Sequence, residues 1–342
     1  MNLTRYDKQI KVSYFSDEAQ KKLAKSHVAI VGLGALGSVV AEQLTRSGVG
    51  TLTLIDRDFV ELSNLQRQTL YTEQDVLEHI PKAIAACNRL SAVNTTVTLN
   101  AVVTHLNAKN IHDIVQKADL IVDATDNLNV RYLINEYAVS EQKIWIHGAV
   151  ASTYGRVITF KQEQSPCFQC LYPHVPELDH VDTCDTVGVL GSIVNIIGSI
   201  QATEAIKWLS GNEQYVTNTM LEFNVWTQSS MKIDLSQARN ANCSVCMKKQ
   251  FSLLQTEHNE QKNAVLCGRN TVQAFHPNLN KDSYEKYINK FKNNRNLSIN
   301  KYLCKFNYKD FTITMFTDGR CLIQGISSIE NAEIIMSELF DY

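Results

Sequence analysis

The stretch Val28-Ala29-Ile30-Val31-Gly32-Leu33-Gly34-Ala35-Leu36-Gly37 decides the fold class. Four apolar residues without a polar interruption read as a buried strand, and the glycines that follow make a tight turn into a helix running to about Ser47. Gly32, Gly34 and Gly37 let the backbone come close to a phosphate at a helix N-terminus, where free N–H groups and the dipole favour an anion. The next strand, Thr51 to Ile55, closes on Asp56, about twenty residues on, where a carboxylate can accept hydrogen bonds from ribose hydroxyls. This much is shared by dinucleotide oxidoreductases and other nucleotide users, and glycines so spaced also permit simple tight packing.

Working outward, apolar runs at Leu120 to Val122 and Ile144 to Ile146 alternate with helical stretches at Pro81 to Leu90 and Arg131 to Val139. Strands and helices taking turns predict an α/β fold with a doubly wound, Rossmann-like sheet, mostly parallel in its first half. After Ser152 the pattern turns strand-like, at Arg156 to Phe160 and Met220 to Val225, so the sheet is expected to be mixed. The polar stretches Gln237 to Asn242 and Thr256 to Asn263 read as connections. Residues 1–255 are therefore expected to form a nucleotide-binding domain and residues 264–342 a small α+β domain. The latter shows a strand, a helix at Tyr284 to Phe291, a hairpin turning at Asp318-Gly319 and a last helix at Glu330 to Leu339.

Composition excludes several functions. The chain has 342 residues, 44% of them hydrophobic, enough for a substantial core. Its formal net charge of -2 makes no electrostatic case for a nucleic-acid partner. The N-terminal MNLTRYDKQIKVSYF has no apolar run of the signal-peptide kind. Val187 to Thr203 is uncharged but rich in Gly, Ser, Asn and Gln, and reads as a buried helix rather than a membrane span. Nine cysteines, an odd number without secretory context, suit a reducing cytoplasmic compartment.

Four of those cysteines form two C-x-x-C knuckles, Cys167-Phe168-Gln169-Cys170 and Cys243-Ser244-Val245-Cys246. Two knuckles supply the four sulfurs of a tetrahedral zinc site, and four thiolates leave no open position, so such a zinc is expected to be structural. Two unrelated reduced pairs are the alternative. Cys184 has no partner at ligand spacing and lies in the polar stretch His180-Val181-Asp182-Thr183-Cys184-Asp185. A helix starting near Val187 would lower its thiol pKa, against the opposing charges of Asp182 and Asp185.

Charged residues follow the first glycine turn in order. Ser63-Asn64-Leu65-Gln66-Arg67-Gln68 places an amide and a guanidinium beyond the second strand, and Pro81-Lys82-Ala83 opens a helix with an ammonium. Two cations suit a triphosphate better than a dinucleotide. Asp123-Ala124-Thr125-Asp126-Asn127 follows a strand, so at least one carboxylate projects from its C-terminal end, where α/β sheets bind ligands and Mg²⁺ can be held. A capped helix or a solvated ion pair is the plainer reading of each residue taken singly.

The ordered set, Arg5-Tyr6-x-x-Gln9-Ile10, the three glycines, Asp56, Ser63-Asn64-Leu65-x-Arg67-Gln68, Pro81-Lys82-Ala83, Thr125-Asp126-Asn127 with Arg131, and the paired knuckles, resembles the MoeB/ThiF adenylyltransferases, relatives of ubiquitin-activating enzymes. The resemblance covers roughly residues 1 to 235 plus the second knuckle. It implies ATP- and Mg²⁺-dependent adenylation of a small ubiquitin-fold sulfur-carrier protein ending in Gly-Gly, with a MoaD-like carrier favoured over a ThiS-like one. It further implies that Gly32, Gly34 and Gly37 cradle ATP, that Asp56 holds the ribose, and that Asn64, Arg67, Gln68 and Lys82 meet the nucleotide. Asp126 would ligate Mg²⁺ and Asn127 would lie beside the nucleotide, Arg5 would reach the triphosphate in the opposite subunit of a homodimer, and Cys184 would take part in sulfur transfer. Zn²⁺ would be structural.

The chain departs from that pattern in three places. The segment before Ala19-Gln20 lacks glycines often found there, and His79 stands where a glycine often precedes Pro-Lys. The tail from Ala264 lacks a rhodanese active-site loop, so no sulfurtransfer is assigned to it. An NAD-dependent oxidoreductase would need neither Arg67 nor Lys82, and a silent scaffold binding a ubiquitin-like protein would not need the cations with Asp126.

Overall fold

A computed structural model describes residues 3–173, 184–255, 263–266, 270–276, 279, 281–292, 294 and 296–340. The chain divides into two compact units, residues 1–256 and 257–342.

The first unit is built on β1 (His27–Val31), β2 (Thr51–Asp56), β3 (Thr98–Val103), β4 (Leu120–Asp123), β5 (Ile144–Ala151), β6 (Tyr154–Phe160), β7 (Thr219–Asn224) and β8 (Ser229–Asp234). They form one sheet in the order β3-β2-β1-β4-β5-β6-β7-β8. The first five strands in that order are parallel, and β6, β7 and β8 continue antiparallel. The sheet is mixed and Rossmann-like, as the alternation of runs predicts.

The apolar runs of β1 and β4 are central because both of their faces are covered. Helices Ala35–Ser47, Lys82–Val93 and Gly191–Leu209 bury Leu36, Val40, Leu44, Ala86, Leu90 and Ile197 against one face. Helix Leu128–Ser140 buries Leu133, Ile134 and Tyr137 against the other, where Trp145 stacks on Phe160 with ring centroids 4.5 Å apart. From β1 the chain crosses to β2 on one side and later returns to β4 on the other. That reversal opens a crevice at the carboxyl ends of β1 and β4, the place where such sheets bind ligands.

Two edge strands, β3 and β8, escape a search for apolar runs. In β3, Thr98 and Asn100 are exposed while their neighbours are half-buried, and Ser229 to Lys232 of β8 all face solvent. The long helix also begins later than the uncharged stretch suggests, at Gly191 instead of Val187. Gly188 adopts a φ of +73° and Val189 bridges to Ser152, whose backbone bonds Gly188 and Leu190, so the chain is drawn off a helical path.

The second unit contains β9 (Ala264–Leu266), β10 (Thr271–Phe275), β11 (Ser298–Ile299), β12 (Leu303–Tyr308), β13 (Phe311–Phe316) and β14 (Arg320–Gln324), in an antiparallel sheet ordered β11-β12-β13-β14-β10-β9. Helix Ile329–Phe340 packs Ile335, Met336 and Leu339 into a core with Phe306, Ile313, Met315 and Ile323. Gly319, at φ +90°, turns the chain between β13 and β14. Among the described residues no helix is long and apolar enough to cross a membrane.

Candidate functional site

Sheet register assembles the site. Val31 at the end of β1 stands beside Ile55 of β2 and Asp123 of β4, and Asp123 stands beside His147 of β5. The residues that follow these positions, Gly32, Asp56 and Ala124, therefore share one edge of the sheet.

The glycine turn is shaped by what surrounds it. Gly32 has a φ of +87°, and a Cβ there would lie 2.8 Å from the carbonyl oxygen of Ala124. A Cβ on Gly37 would lie 1.9 Å from the carbonyl oxygen of Gly32. Both glycines are needed to close the turn against the sheet. Gly34, which precedes helix Ala35–Ser47, differs: a Cβ there would meet only Nε2 of Gln68, at 3.7 Å. The turn is thus tight on its inner side and open at the helix N-terminus, where unpaired N–H groups can receive a phosphate.

Asp56 holds this turn. Its Oδ2 accepts the Leu33 N–H at 2.7 Å and its Oδ1 accepts the Asp58 N–H at 2.7 Å. Burial raises its carboxyl above the usual range, with the Lys82 ammonium pulling the other way. The Tyr71 hydroxyl donates to the Leu33 carbonyl at 2.6 Å and supports the turn from below.

The groups beyond β2 converge on the same edge. Lys82 begins its helix with a buried side chain whose Nζ lies 3.7 Å from Asp58, and its N–H donates to the Asp58 carbonyl at 2.8 Å. Asn64 is buried, accepts the Glu61 N–H at 3.1 Å, and its carbonyl receives the N–H groups of Arg67 and Gln68. Gln68 is buried beside Gly34, and its Oε1 makes no hydrogen bond among the described residues. The partly exposed Arg67 donates from Nη1 to the Ser63 carbonyl at 2.8 Å. A cation and a helix start around open space suit phosphate, and the unpaired Gln68 oxygen can accept from a hydroxyl or amino group of a nucleotide.

The turn after β4 contains two different carboxylates. Asp126 is exposed, whereas Asp123 is fully buried. Oδ1 of Asp123 accepts the Thr125 N–H at 2.9 Å and the Thr125 hydroxyl at 2.8 Å, and Oδ2 lies 2.7 Å from Nδ1 of His147 and 3.6 Å from Nε of Arg131. Burial opposes its charge, but the His147 bond and the Arg131 guanidinium prevail and hold the carboxyl below the usual range. Asn127 caps helix Leu128–Ser140, its Oδ1 accepting the Val130 N–H at 3.1 Å. One exposed carboxylate on such a turn can hold Mg²⁺, which keeps most of its ligands as water and substrate oxygens.

Elsewhere, the four knuckle cysteines meet. Their sulfurs all lie within 4.8 Å of one another, with Cys167 to Cys243 at 3.6 Å, Cys170 to Cys246 at 3.4 Å and Cys167 to Cys170 at 3.8 Å. Four thiolates at about 2.3 Å from one ion would stand roughly 3.8 Å apart, so the cluster can hold zinc with no position left for substrate. Val139, Val245 and Phe251 enclose it, and the Phe168 N–H fixes the first knuckle to Asn135 Oδ1 at 2.8 Å.

Two residues singled out in the sequence stand apart. Arg5 is exposed and donates to the Val93 carbonyl at 3.1 Å, at the far end of the Lys82–Val93 helix, roughly 16 Å of helix from Lys82. Cys184 opens the four-residue helix Cys184–Val187, and its side chain lies outside the described residues, as do residues 174–183. His147 was not singled out. In the sequence it merely ends the run Ile144-Trp145-Ile146, and nothing local signals a partner in another strand.

Known proteins resemble this chain. The sequence profile of the ThiF family matches residues 6–245. A sulfur carrier protein ThiS adenylyltransferase from Bacillus subtilis is 36% identical over 332 residues, covering 97% of each chain. A sulfur carrier protein adenylyltransferase from Thermus thermophilus is 37% identical over 249 residues, covering 71% of this chain and 90% of its own. Among solved structures, E. coli MccB with MccA-N7isoASN superposes with a TM-score of 0.64 at 23% identity, covering 71% of this chain and 75% of the other, a likeness of fold.

Proposed function

Because the chain belongs to the ThiF family, we propose that it joins the C-terminal glycine carboxylate of a small ubiquitin-fold sulfur-carrier protein to AMP from ATP, releasing pyrophosphate. The named relatives are sulfur-carrier adenylyltransferases. The observation that carries the reading is the single sheet edge on which the open glycine turn, Lys82, Gln68 and the Asp126 turn meet.

The chemistry suits these residues. A terminal carboxylate is ionised near neutral pH, with a pKa of about 3.5, so its attack on the α-phosphorus needs no general base. The carboxylate oxygen forms a bond to phosphorus as the bond to the pyrophosphate oxygen breaks, and negative charge moves onto the leaving group. Lys82 and Arg67 would offset that charge, and the N–H groups after Gly34 would orient the phosphates. Asp126 would hold Mg²⁺, which when bound supplies further neutralisation of the phosphate chain. Asp56, already tied to the turn, would offer its carboxylate edge to the ribose.

The sequence pattern favours a MoaD-like carrier. The match to a ThiS adenylyltransferase extends through the second unit, whereas that to the Thermus protein covers 71% of this chain, which supports a ThiS-like carrier instead. Arg5, distant from Lys82 in its own chain, would act across a homodimer. The enzyme would work in the cytoplasm, with structural Zn²⁺ in the cysteine cluster. The deciding experiment incubates the protein with ATP, Mg²⁺ and ThiS-type or MoaD-type carriers and weighs the products. A carrier gain equal to AMP is expected, and it should vanish, with carrier-dependent ATP–pyrophosphate exchange, in Arg67→Ala and Asp126→Ala. Exchange at the wild-type rate in either variant removes that residue from the reaction, and no carrier–AMP with either carrier removes the function.

A further inference from the structure

Asp123 carries more hydrogen bonds than a strand end requires. One oxygen closes the turn by accepting both the N–H and the hydroxyl of Thr125. The other faces His147, and its backbone carbonyl accepts Nε2 of Gln201 at 2.8 Å. The same turn is tied to the Arg131 guanidinium through the Thr125 carbonyl. It also covers the glycine turn, since the Ala124 carbonyl presses on Gly32. Any rotation of the Asp123 carboxylate therefore moves Thr125, and with it Asp126 and Asn127.

His147 meets the second carboxylate oxygen at hydrogen-bond distance, with Arg131 Nε farther off at 3.6 Å. Its imidazole is buried, and Nδ1 sits 2.7 Å from Asp123 Oδ2. A carboxylate only accepts, so Nδ1 carries the proton. The ring is gripped by aromatic edges, with Phe168 at 5.4 Å and Trp145 at 6.0 Å between centroids. Phe168 directly follows the knuckle residue Cys167 and is itself bonded to Asn135. The imidazole is thus held from behind by the knuckle and from in front by the carboxylate.

We infer that His147 is a positioning residue, whose Nδ1–H fixes the Asp123 carboxylate and so holds the 123–127 turn with Asp126 aimed at the nucleotide site. The role of Asp126 in this statement rests on the proposed adenylyl transfer, whereas the hold on the turn does not.

Two variants separate the hydrogen bond from packing. His147→Asn keeps a donor, because its amide nitrogen occupies the branch position of Nδ1, and His147→Leu keeps apolar bulk without a donor. Amide hydrogen exchange of Thr125 reads the turn directly, and carrier-dependent exchange with varied ATP reads KM and kcat. In His147→Leu, Thr125 should exchange roughly 10- to 100-fold faster and KM for ATP should rise by roughly 10-fold or more, the scale of a lost charge-assisted hydrogen bond. His147→Asn should stay within about threefold of wild type in both. Wild-type behaviour in His147→Leu, or equal impairment of both variants, overturns the inference. If no carrier is adenylated by the wild type while Thr125 responds as stated, the proposed function falls and the hold on the turn stands.

Discussion

Gly34 and Gly37 lie in the same turn, yet substituting alanine should affect different properties. A methyl on Gly37 would approach the Gly32 carbonyl oxygen to 1.9 Å, against an ordinary contact of 3.4–4 Å. At least 1.5 Å of movement follows, and it must come from helix Ala35–Ser47 or from the turn, both packed against the core. Overpacking of this kind costs about 1–3 kcal/mol or more. For a unit of 256 residues this lowers Tm by about 2–12 °C. A methyl on Gly34 meets one side-chain nitrogen at 3.7 Å and displaces no backbone, so Gly34→Ala should change stability by no more than about 1 kcal/mol. Under the proposed function that methyl takes the space a phosphate would occupy at the helix N-terminus, and ATP affinity and exchange rate should fall roughly 100-fold. Thermal unfolding and calorimetric ATP titration of both variants make the comparison. Unchanged ATP affinity in Gly34→Ala, or wild-type stability in Gly37→Ala, would refute the reasoning that assigns the open side of the turn to the phosphate.

Metal analysis of the wild type should find about one zinc per chain, and Cys246→Ser should retain less than about half an equivalent while unfolding at lower temperature; full zinc retention would mean that the thiol cluster is not the ligand set. Burial lowers the His147 pKa, with the Asp123 hydrogen bond opposing. As pH falls through the ordinary histidine value of about 6.5, the unfolded chain binds a proton that the folded chain excludes, and stability drops by up to about 1.4 kcal/mol per pH unit. Asp123 has linkage of the same sign in a lower window: its folded pKa is also depressed, so its contribution is present above about 3.9 and is lost only below that. Between about pH 7 and 5 the histidine dominates, and urea unfolding should show a shallower decline for His147→Asn; an identical slope would contradict the buried neutral imidazole. For Cys184, a thioester or persulfide-linked carrier adduct should be trapped with wild type and not with Cys184→Ser, and equal trapping would end its chemical role.

Legibility followed range. Val28 to Val31, the turn at Gly32 and the position of Asp56 could be read because each depends on neighbours within one strand and its turn. The hairpin at Asp318-Gly319 is local in the same sense. β3 and β8 were illegible because an edge strand has no need of a continuous apolar run. The start of the long helix was misplaced because Ser152, far away in sequence, captures Val189. That Asn127 also caps the following helix through its Oδ1 became visible only in the structure.

The sequence by itself determined the alternation of strands and helices, the glycine turn and the two cysteine pairs, since periodicity and spacing are properties of the chain. Which groups face one another was decided only by tertiary structure. The register of β4 against β5 sets His147 on Asp123, and the fold brings the sulfurs of two knuckles 76 positions apart to within 4.8 Å of one another. The same folding leaves Arg5 beside Val93, away from Lys82. The physical reason is that a hydrogen bond or a metal shell depends on distances of a few ångströms across strands, and sequence order carries no such distance until burial of both sheet faces fixes the register.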